Sequence, residues 1–292
     1  MKEMNWIKNG EISLKGLNRS MFEDVLIKNI RRRLKLLGEF SVRTAQSTIT
    51  IEPRNDNFDF DEALTCISKI FGIAAYSRCA VAAKNMDEIL KIAPEYLKDS
   101  LMNVKTFKVE AKRSDKHFPF KSPEICREVG GVLLDAFPHL SVDVHSPQAT
   151  VVVEVRDSAA YIRCGQIRAA GGMPVGTGGK ASILISGGID SPVAAWMMAK
   201  RGISLSAIHF ASPPYTSARA ELKVKKLLST VARYSGRIHL AIVPFTEIQQ
   251  EISEKCPQEF FTLIMRRFMM TISEKLARRD ECLALITGES VG

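Results

Sequence analysis

The residues of this chain best suited to chemistry lie in one short segment, Ser186 to Ser191, which reads SGGIDS. Gly187 and Gly188 allow the backbone to approach a ligand closely and leave N–H groups free to donate hydrogen bonds. Ser186 and Ser191 add hydroxyl donors, and the first turn of a following helix carries about half a positive charge. This combination of residue types predicts a loop that holds a pyrophosphate group.

Asp190 adds a negative charge to the same segment, and a carboxylate repels phosphate unless a cation lies between them. A bridging Mg²⁺ would remove the repulsion, so we predict that Asp190 is the catalytic residue and a ligand of Mg²⁺. The alternative is that Asp190 only caps a helix while the glycines only turn the chain. Capping would explain the aspartate, but it explains neither the two glycines nor the two serines.

A second glycine-rich stretch, GGMPVGTGGK at 171–180, matches neither common nucleotide-binding motif. The P-loop pattern requires glycine where this chain has Pro174 and a hydroxyl where it has Ala181. The dinucleotide pattern fails as well, because Ala181 stands where its third glycine belongs. We therefore interpret this stretch as a linker between domains.

The SGGIDS segment lies between a predicted strand and a predicted helix. From Ser182 onward, short apolar strands alternate with amphipathic helices. This alternation predicts a doubly wound parallel sheet covered by helices on both faces. Such sheets bind ligands beyond the carboxyl ends of their strands, which is where the segment falls.

The first part of the chain predicts a different arrangement, two successive α+β units. Residues 41–53 alternate as a strand, and Pro94 is expected to interrupt a helix. The other predicted elements are a helix at 18–37, a helix and a strand at 60–82, a helix at 85–101, a strand at 106–114, a helix at 122–137 and a hairpin at 150–164.

Composition limits the class of protein and of partner. The 292 residues are 46% hydrophobic and 25% charged, which indicates two or three folded domains. Lysine and arginine outnumber aspartate and glutamate by 41 to 32, an excess that favours a polyanionic partner. The six cysteines lack metal-ligand spacing. The start of the chain has no apolar signal core, and every apolar run is too short to span a bilayer. We expect a cytoplasmic protein with reduced thiols and no membrane partner.

The SGGIDS segment resembles the signature loop of the PP-loop ATP pyrophosphatases. Further motifs closely resemble the tRNA 4-thiouridine synthetase family: GEISLKGLNRSMFE at 10–23, GGMPVGTGGK at 171–180, HFASPPYTS at 209–217, MRRFMM at 265–270 and ITGESVG at 286–292. The resemblance covers essentially the whole chain. It implies an N-terminal ferredoxin-like domain at 1–77, a THUMP domain at 78–165, a linker at 166–181 and a doubly wound PP-loop domain at 182–292.

The resemblance also implies a set of ATP-binding residues. They are Leu184, Ile185, Ser186, Gly187, Gly188, Asp190, Ser191, His209, Phe210, Arg266 and Gly288. Plain alternatives remain open for four of them. His209 could be a hydrogen-bonded histidine at a strand end, Phe210 a core residue, Arg266 part of a solvated helix face, and Gly288 the end of a strand.

The implied activity is that of an ATP-dependent tRNA sulfurtransferase. A tRNA uridine, expected at position 8, attacks the α-phosphorus of ATP through its carbonyl oxygen, and sulfur then displaces AMP to give 4-thiouridine. ATP and Mg²⁺ are the implied cofactors. The implied partners are tRNA, a cysteine desulfurase or other sulfur donor, and a second copy of the chain in a homodimer. The family is also linked to sulfur supply in thiamine biosynthesis.

The resemblance assigns tRNA binding to the middle domain, through basic residues that contact phosphates and one aromatic residue that stacks on an unpaired base. These residues are Lys112, Arg113, Lys116, Phe118 and Lys121. The basic face of the first helix would extend the surface, with Lys28, Arg31, Arg32, Arg33 and Lys35. The alternatives are solvated lysines and a Phe118 side chain packed against its own core.

The chain departs from the family pattern at its end. It stops at Gly292, where family members continue, so we expect a PP-loop domain that is incomplete at its C-terminus. The sulfur-transfer cysteine of some members lies beyond this point, and none of the six cysteines here is assigned that role. Two other functions remain open, a tRNA-binding module without catalysis and another class of PP-loop ATP pyrophosphatase.

Overall fold

The chain divides into two compact units in a computed structural model that describes residues 2–45, 48–54 and 59–289. The first unit comprises Met1–Lys8, Gly38–Asp59 and Ala75–Arg168, and the second comprises Asn9–Leu37, Phe60–Ala74 and Ala169–Gly292. The region predicted as a ferredoxin-like domain therefore contributes to both units. The region predicted as a PP-loop domain lies entirely in the second.

Strands and helices alternate along much of the chain. The strands are β1 (Glu3–Asn9), β2 (Phe40–Ala45), β3 (Thr48–Pro53), β4 (Ile73–Ala82), β5 (Thr106–Arg113), β6 (Ser141–Val142), β7 (Ala149–Val155), β8 (Ala160–Cys164), β9 (Ile167–Arg168), β10 (Lys180–Leu184), β11 (Ser204–Ala211), β12 (His239–Pro244) and β13 (Ala284–Ile286). The helices are α1 (Arg19–Leu34), α2 (Phe60–Ser68), α3 (Met86–Leu101), α4 (Ser122–Ala136), α5 (Asp190–Lys200), α6 (Ala218–Ser235), α7 (Thr246–Lys255) and α8 (Phe261–Arg279). In the described part of the chain, none of these helices is both long enough and apolar enough to cross a membrane.

The first unit is built on a mixed sheet. Its strands follow the order β2-β3-β1-β4-β8-β7-β5-β6, and β9 pairs with β4. Strands β7 and β8 are antiparallel neighbours, which confirms the predicted hairpin. Strand β5 runs parallel to β7, so the carboxyl end of β5, which carries Lys112 and Arg113, lies beside the carboxyl end of β7.

The prediction of a single strand at 41–53 is wrong, because this segment forms two antiparallel strands. Phe40 lies opposite Pro53, and Ala45 lies opposite Thr48. Gln46 and Ser47, which connect the strands, lie outside the described residues. Apolar and polar residues alternate in both strands, and no glycine, proline or asparagine marks the turn. The alternation therefore could not reveal where one strand ends.

Helix α3 runs without interruption through Pro94, contrary to the prediction. The side chains buried along one side of it are Met86, Ile89, Ala93, Leu97 and Leu101. A proline inside a helix costs about 3 kcal/mol, whereas each fully buried leucine or isoleucine stabilises by about 1.5–3 kcal/mol. The buried stripe therefore outweighs the proline.

The second unit contains the predicted parallel sheet. Its strands run in the order β12-β11-β10-β13, and every neighbouring pair is parallel. Helix α7, which follows β12, was missed at the sequence level. Only Ile252 of this helix is buried, so its apolar periodicity is weak.

The two faces of this parallel sheet differ in polarity. Ile183 of β10 and Ala207 of β11 are paired in register and belong to a buried apolar cluster that includes residues of α5 and α6. Ser182 and Ser206 point to the opposite face, where their hydroxyls lie 2.5 Å apart. The thiol of Cys282 lies 3.3 Å from each hydroxyl, so this polar cluster is satisfied within the sheet.

Most of the predicted linker is packed within the second unit. The N–H groups of Gly176 and Gly178 both donate to the carbonyl oxygen of Gly202, at 2.7 and 2.9 Å. Gly202 itself has φ +91°, and a Cβ there would lie 2.5 Å from Oγ1 of Thr177. The glycines therefore allow two backbone segments to touch, which explains why this stretch is rich in glycine without being a nucleotide-binding motif.

Arg33, predicted to extend a tRNA-binding surface, is used inside the second unit instead. Its guanidinium donates to the carbonyl oxygens of Ala232, at 2.7 Å, and Arg233. These carbonyls belong to the last turn of α6, where a cation offsets the negative end of the helix dipole. Sequence alone could not distinguish this capping role from a solvated basic face.

Candidate functional site

The loop between β10 and α5 is held in a closed turn by its two serines. The backbone N–H of Ser186 donates to Oγ of Ser191 at 3.0 Å, and the two hydroxyl oxygens lie 3.2 Å apart. The N–H of Gly188 donates to Oγ of Ser186 at 3.3 Å. Ser191 is buried in the first turn of α5, so the loop is anchored to the helix before any ligand binds.

The fold does not require glycine at either position of this loop. Neither Gly187 nor Gly188 has a φ in the left-handed region. A Cβ on Gly187 would lie 3.7 Å from Cδ of Lys223, and one on Gly188 would lie 3.5 Å from Oγ of Ser186, which are ordinary contact distances. The space that these glycines leave open is therefore available to something outside the chain.

Asp190 begins α5 and is exposed. The alternative that it only caps this helix is wrong, because Ile189 occupies the N-cap position and no side chain caps the helix start. Among the described residues, the Asp190 carboxylate has no hydrogen-bond or ion-pair partner. It lies one residue from the anchored Ser191, so its charge is fixed close to the loop, and within the described part of the fold it interacts only with the positive end of α5.

A cavity of about 660 Å³ opens beside the loop. Its volume is in the range typical of small-molecule and nucleotide sites. It brings together nine of the predicted residues, Leu184, Ile185, Ser186, Gly187, Ser191, His209, Phe210, Arg266 and Gly288. Gly188 and Asp190 are not in its lining. The sequence analysis missed Ile208, Thr216, Ala220, Met269, Met270, Thr287 and Glu289, which also line it.

His209 lies near the end of β11 with both ring nitrogens buried. Its Nδ1 lies 3.0 Å from the carbonyl oxygen of Ile185, and since a carbonyl can only accept, Nδ1 carries the proton. Nε2 has no hydrogen-bond partner among the described residues. Next to it, Phe210 packs edge-to-face against Phe245 with ring centroids 5.2 Å apart. Phe210 therefore belongs partly to the core and partly to the cavity wall.

Arg266 projects from α8 and is neutralised by a carboxylate that the sequence analysis did not identify. Its Nη2 lies 2.9 and 2.8 Å from the two oxygens of Glu289. Both side chains are more than half exposed, so the pair is weak and can exchange for a ligand. The two residues are 23 positions apart, and only the strand β13 that precedes Glu289 brings them together.

Gly288 is required by packing. A Cβ at this position would lie 2.5 Å from the backbone nitrogen of Ser191 and 2.6 Å from the carbonyl carbon of Asp190. The segment after β13 therefore presses against the start of α5. Because Ser191 anchors the loop, Gly288 controls the loop through backbone contact whether or not it also touches a ligand.

The residues predicted to bind tRNA lie in the first unit and are only partly accessible. Lys112, Lys116 and Lys121 are exposed. Phe118 is only 4% exposed and belongs to the core beneath α3 and α4, so the prediction that it stacks on a base is wrong. Arg113 donates to the carbonyl oxygens of Phe118 and Phe120, at 2.9 and 3.2 Å, which fixes the loop.

Asp115 orders the start of this lysine-bearing loop. Its carboxylate accepts from Nζ of Lys84 at 2.7 Å and from the backbone N–H of His117 at 2.8 Å. These two hydrogen bonds lower the pKa of Asp115 to about 2. A carboxylate that is stabilised in this way holds Lys116 at the exposed tip of the loop.

Replacing Asp115 with asparagine should lower the melting temperature at pH 7. The folded-state pKa of Asp115 is depressed below its unfolded value of about 4, so its stabilising effect is complete above that pH. The effect is lost as the pH falls toward the folded pKa, and the two melting temperatures should therefore converge between pH 4 and pH 2. Asp135→Asn, an exposed position on α4, is the control. A melting difference that persists at pH 2 would contradict the assignment.

Comparisons with known proteins are consistent with this arrangement. The family model described as Thiamine biosynthesis protein (ThiI) matches residues 176–292. The THUMP domain model matches 83–164, and the ThiI ferredoxin-like domain model matches 5–77.

Individual relatives cover the whole chain. A probable tRNA sulfurtransferase of Acetivibrio thermocellus is 51% identical over 294 residues, which cover 100% of this chain and 75% of that protein. One of Thermoanaerobacter pseudethanolicus is 47% identical over 292 residues, with the same two coverages. The crystal structure of a 4-thiouridine synthetase–RNA complex with bound ATP matches with a TM-score of 0.92 and 36% identity, over 100% of this chain and 75% of that one.

The identities exceed what a shared fold alone would require, and they extend through all three matched regions. The cavity and the loop described above lie within the part matched by the ThiI model. The chain therefore belongs to the tRNA sulfurtransferase (ThiI) family.

Proposed function

We propose that this chain is an ATP-dependent tRNA sulfurtransferase that adenylates a uridine of tRNA on the way to 4-thiouridine. The observation that carries the proposal is the loop beside the cavity. Its glycines leave space that the fold does not need, and Asp190 presents a carboxylate with no hydrogen-bond or ion-pair partner among the described residues. A relative solved with RNA and ATP, which shares 36% identity over this whole chain, supports the same conclusion.

ATP would bind with its phosphates over the loop and its adenosine in the apolar part of the cavity. The N–H groups of the loop and the positive end of α5 suit the phosphates. His209 offers a buried ring nitrogen without a partner among the described residues, Nε2, for a hydrogen bond to the nucleoside. Met269 and Met270 of α8 provide apolar surface for the base. Arg266 would exchange Glu289 for a phosphate oxygen when the nucleotide arrives.

The first chemical step exchanges one phosphorus–oxygen bond for another. The carbonyl oxygen of the uridine forms a bond to the α-phosphorus, and the bond from that phosphorus to the bridging oxygen breaks. The bonding electron pair stays with the departing pyrophosphate, and the N3 proton of uridine is lost to solvent. The residues of the loop contribute by alignment and by stabilising charge, since no covalent bond to the protein is needed.

The residues at this site fit a Mg²⁺ ion that arrives with the nucleotide. The described residues contain no cluster of three or more histidine, cysteine or acidic side chains that could hold a metal by itself. Mg²⁺ is commonly held by one or two carboxylates together with substrate phosphates, so Asp190 would supply the protein ligand. When bound, the ion would neutralise phosphate charge.

Sulfur would come from a separate donor. Burial raises the pKa of the Cys66, Cys126 and Cys164 thiols, and it raises that of Cys79 to about 12. A thiolate is the form that accepts and transfers sulfur, so these four cysteines are poorly suited to carry it. We therefore propose that the outer sulfur of a persulfide-bearing partner, such as a cysteine desulfurase, bonds to C4 of the adenylated uridine while the C4–O bond to AMP breaks. A thiol reductant then cleaves the resulting S–S bond, which leaves 4-thiouridine and oxidises the thiols to a disulfide.

Pyrophosphate release is the direct test. The full chain is incubated with ATP and Mg²⁺, with unmodified tRNA, with the same tRNA carrying cytidine at position 8, or without RNA. We expect release only with the uridine-containing tRNA. Pyrophosphate release that does not depend on the uridine would indicate another class of PP-loop ATP pyrophosphatase. Tight tRNA binding with no release would indicate a binding module without catalysis.

A further inference from the structure

Lys223 is a further cation beside the loop. It lies on α6, one helical turn beyond Ala220, which lines the cavity. Its aliphatic stem passes the loop, because a Cβ built on Gly187 would lie 3.7 Å from Cδ of Lys223. The ammonium group is two bonds beyond Cδ, so it lies within reach of any group that rests on Gly187.

Two other cations in this part of the unit are already paired. Arg266 is held by both carboxylate oxygens of Glu289. Lys225, which neighbours Lys223 on α6, pairs with Glu221 at 2.5 Å. Lys223 has no ion-pair partner within the described ranges. It is therefore a cation that can meet an arriving anion without first breaking an ion pair.

The chemistry of the site calls for such a cation. A bound triphosphate carries several negative charges, and Asp190 adds another close to the loop. As the bond to the α-phosphorus breaks, further negative charge develops on the oxygen that leaves with pyrophosphate. The dipole of α5 contributes only about half a charge, so a full cation on the far side of the loop would add substantially to the stabilisation.

We propose that Lys223 binds the β- and γ-phosphates of ATP and stabilises pyrophosphate as it leaves. This inference rests on the proposed function, since it concerns the same loop and the same reaction. The flexible stem lets the ammonium follow the phosphates as they separate from the α-phosphorus, and its three donors suit oxygens that change position. Lys223 acts by direct contact with the nucleotide, whereas Gly288 acts through its packing against the start of α5.

Lys226 provides a matched comparison. It is exposed on the same helix and carries the same charge, but a Cβ built on Gly187 would have Cδ of Lys223 within 4 Å and no atom of Lys226. If the charge of α6 acted only by attracting RNA or nucleotide at long range, loss of either lysine would have a similar effect. If Lys223 contacts the phosphates, only its own loss matters.

The test measures ligand affinity as well as turnover, with the full chain and the variants Lys223→Ala, Lys223→Arg and Lys226→Ala. Equilibrium binding of pyrophosphate and of AMP is measured separately, because only pyrophosphate contains the contacted phosphates. We expect Lys223→Ala to weaken pyrophosphate binding about 10-fold or more while AMP binding stays within about twofold, and to reduce kcat/KM for tRNA-dependent release by about 10- to 100-fold. Lys223→Arg should recover most of the loss, and Lys226→Ala should match the unaltered chain.

Each contrary outcome has a definite meaning. Equal weakening of pyrophosphate and AMP binding would overturn the proposal and indicate a structural role for Lys223. Equal behaviour of Lys223→Ala and Lys226→Ala, or no pyrophosphate binding by the unaltered chain, would also overturn it. If the unaltered chain binds pyrophosphate through Lys223 but releases none in the presence of tRNA, the proposed function fails while this inference stands.

Discussion

Replacing Asp190 with asparagine should reduce tRNA-dependent pyrophosphate release by about 100-fold or more, an effect of the size seen when a preorganised electrostatic group is removed from an active site. The melting temperature should change little, because the carboxylate is exposed and has no partner among the described residues. Affinity for tRNA should also be retained, since the residues of the predicted THUMP domain that were assigned to tRNA binding lie in the other unit. The measurements are pyrophosphate release, thermal unfolding and tRNA binding on one preparation.

The control for this variant is Glu247→Gln, which removes an exposed acidic side chain from the first turn of α7 in the same unit. It tests whether a general loss of negative charge from a helix start could produce the effect. If Asp190 holds Mg²⁺ with the phosphates, Asp190→Asn should also require more Mg²⁺ for half-maximal release. Unchanged release by Asp190→Asn at all Mg²⁺ concentrations would exclude Asp190 from the reaction.

The sequence was sufficient to predict the parallel sheet and the loop, for a physical reason. Strand Lys180–Leu184 is apolar and flanked by residues with strong local preferences, so its end and the following turn are encoded within a few positions. The clustering of the cavity residues then follows from topology, because parallel strands end at the same edge of the sheet. The local pattern therefore predicts the loop, and the general rule for parallel sheets predicts which residues gather beside it.

What the sequence could not supply were contacts between distant positions. Lys223 lies 36 positions after Gly187, and Glu289 lies 23 after Arg266, so no local pattern relates them. Phe118 was misinterpreted for a related reason. The sequence of a polar loop does not show whether an aromatic residue within it is exposed or buried. Phe118 is buried because it packs in the core beneath α3 and α4.

Glycines gave the most ambiguous sequence signal, because a glycine can serve a ligand or the fold. Gly187 and Gly288 resemble each other in sequence as glycines within three positions of the end of a short strand. They differ in the contacts that an added Cβ would make: ordinary contact with a flexible side chain at Gly187, but a clash with backbone atoms at Gly288. This difference leads to the second prediction, in which the same substitution should lower stability at Gly288 but not at Gly187.

Gly288→Ala should destabilise the chain by about 1–3 kcal/mol, the usual cost of forcing extra atoms into a packed site. Its Cβ would lie 2.5 Å from the nitrogen of Ser191, a backbone atom that cannot move aside as a flexible side chain would. Because Ser191 anchors the loop, the shift should also impair ATP binding. Thermal unfolding and equilibrium ATP binding, each measured on the full chain, report the two effects.

Gly187→Ala should leave the melting temperature unchanged and weaken ATP binding by about tenfold, the loss expected when a group blocks close approach of backbone donors to phosphate. The added methyl group would meet only the flexible stem of Lys223, at 3.7 Å, and the backbone at this position is not in the left-handed region. If Gly187→Ala were instead destabilised without loss of affinity, the loop would be a turn required by the fold. A loss of affinity without loss of stability would indicate that the nucleotide uses the space beside Gly187, directly or through Lys223.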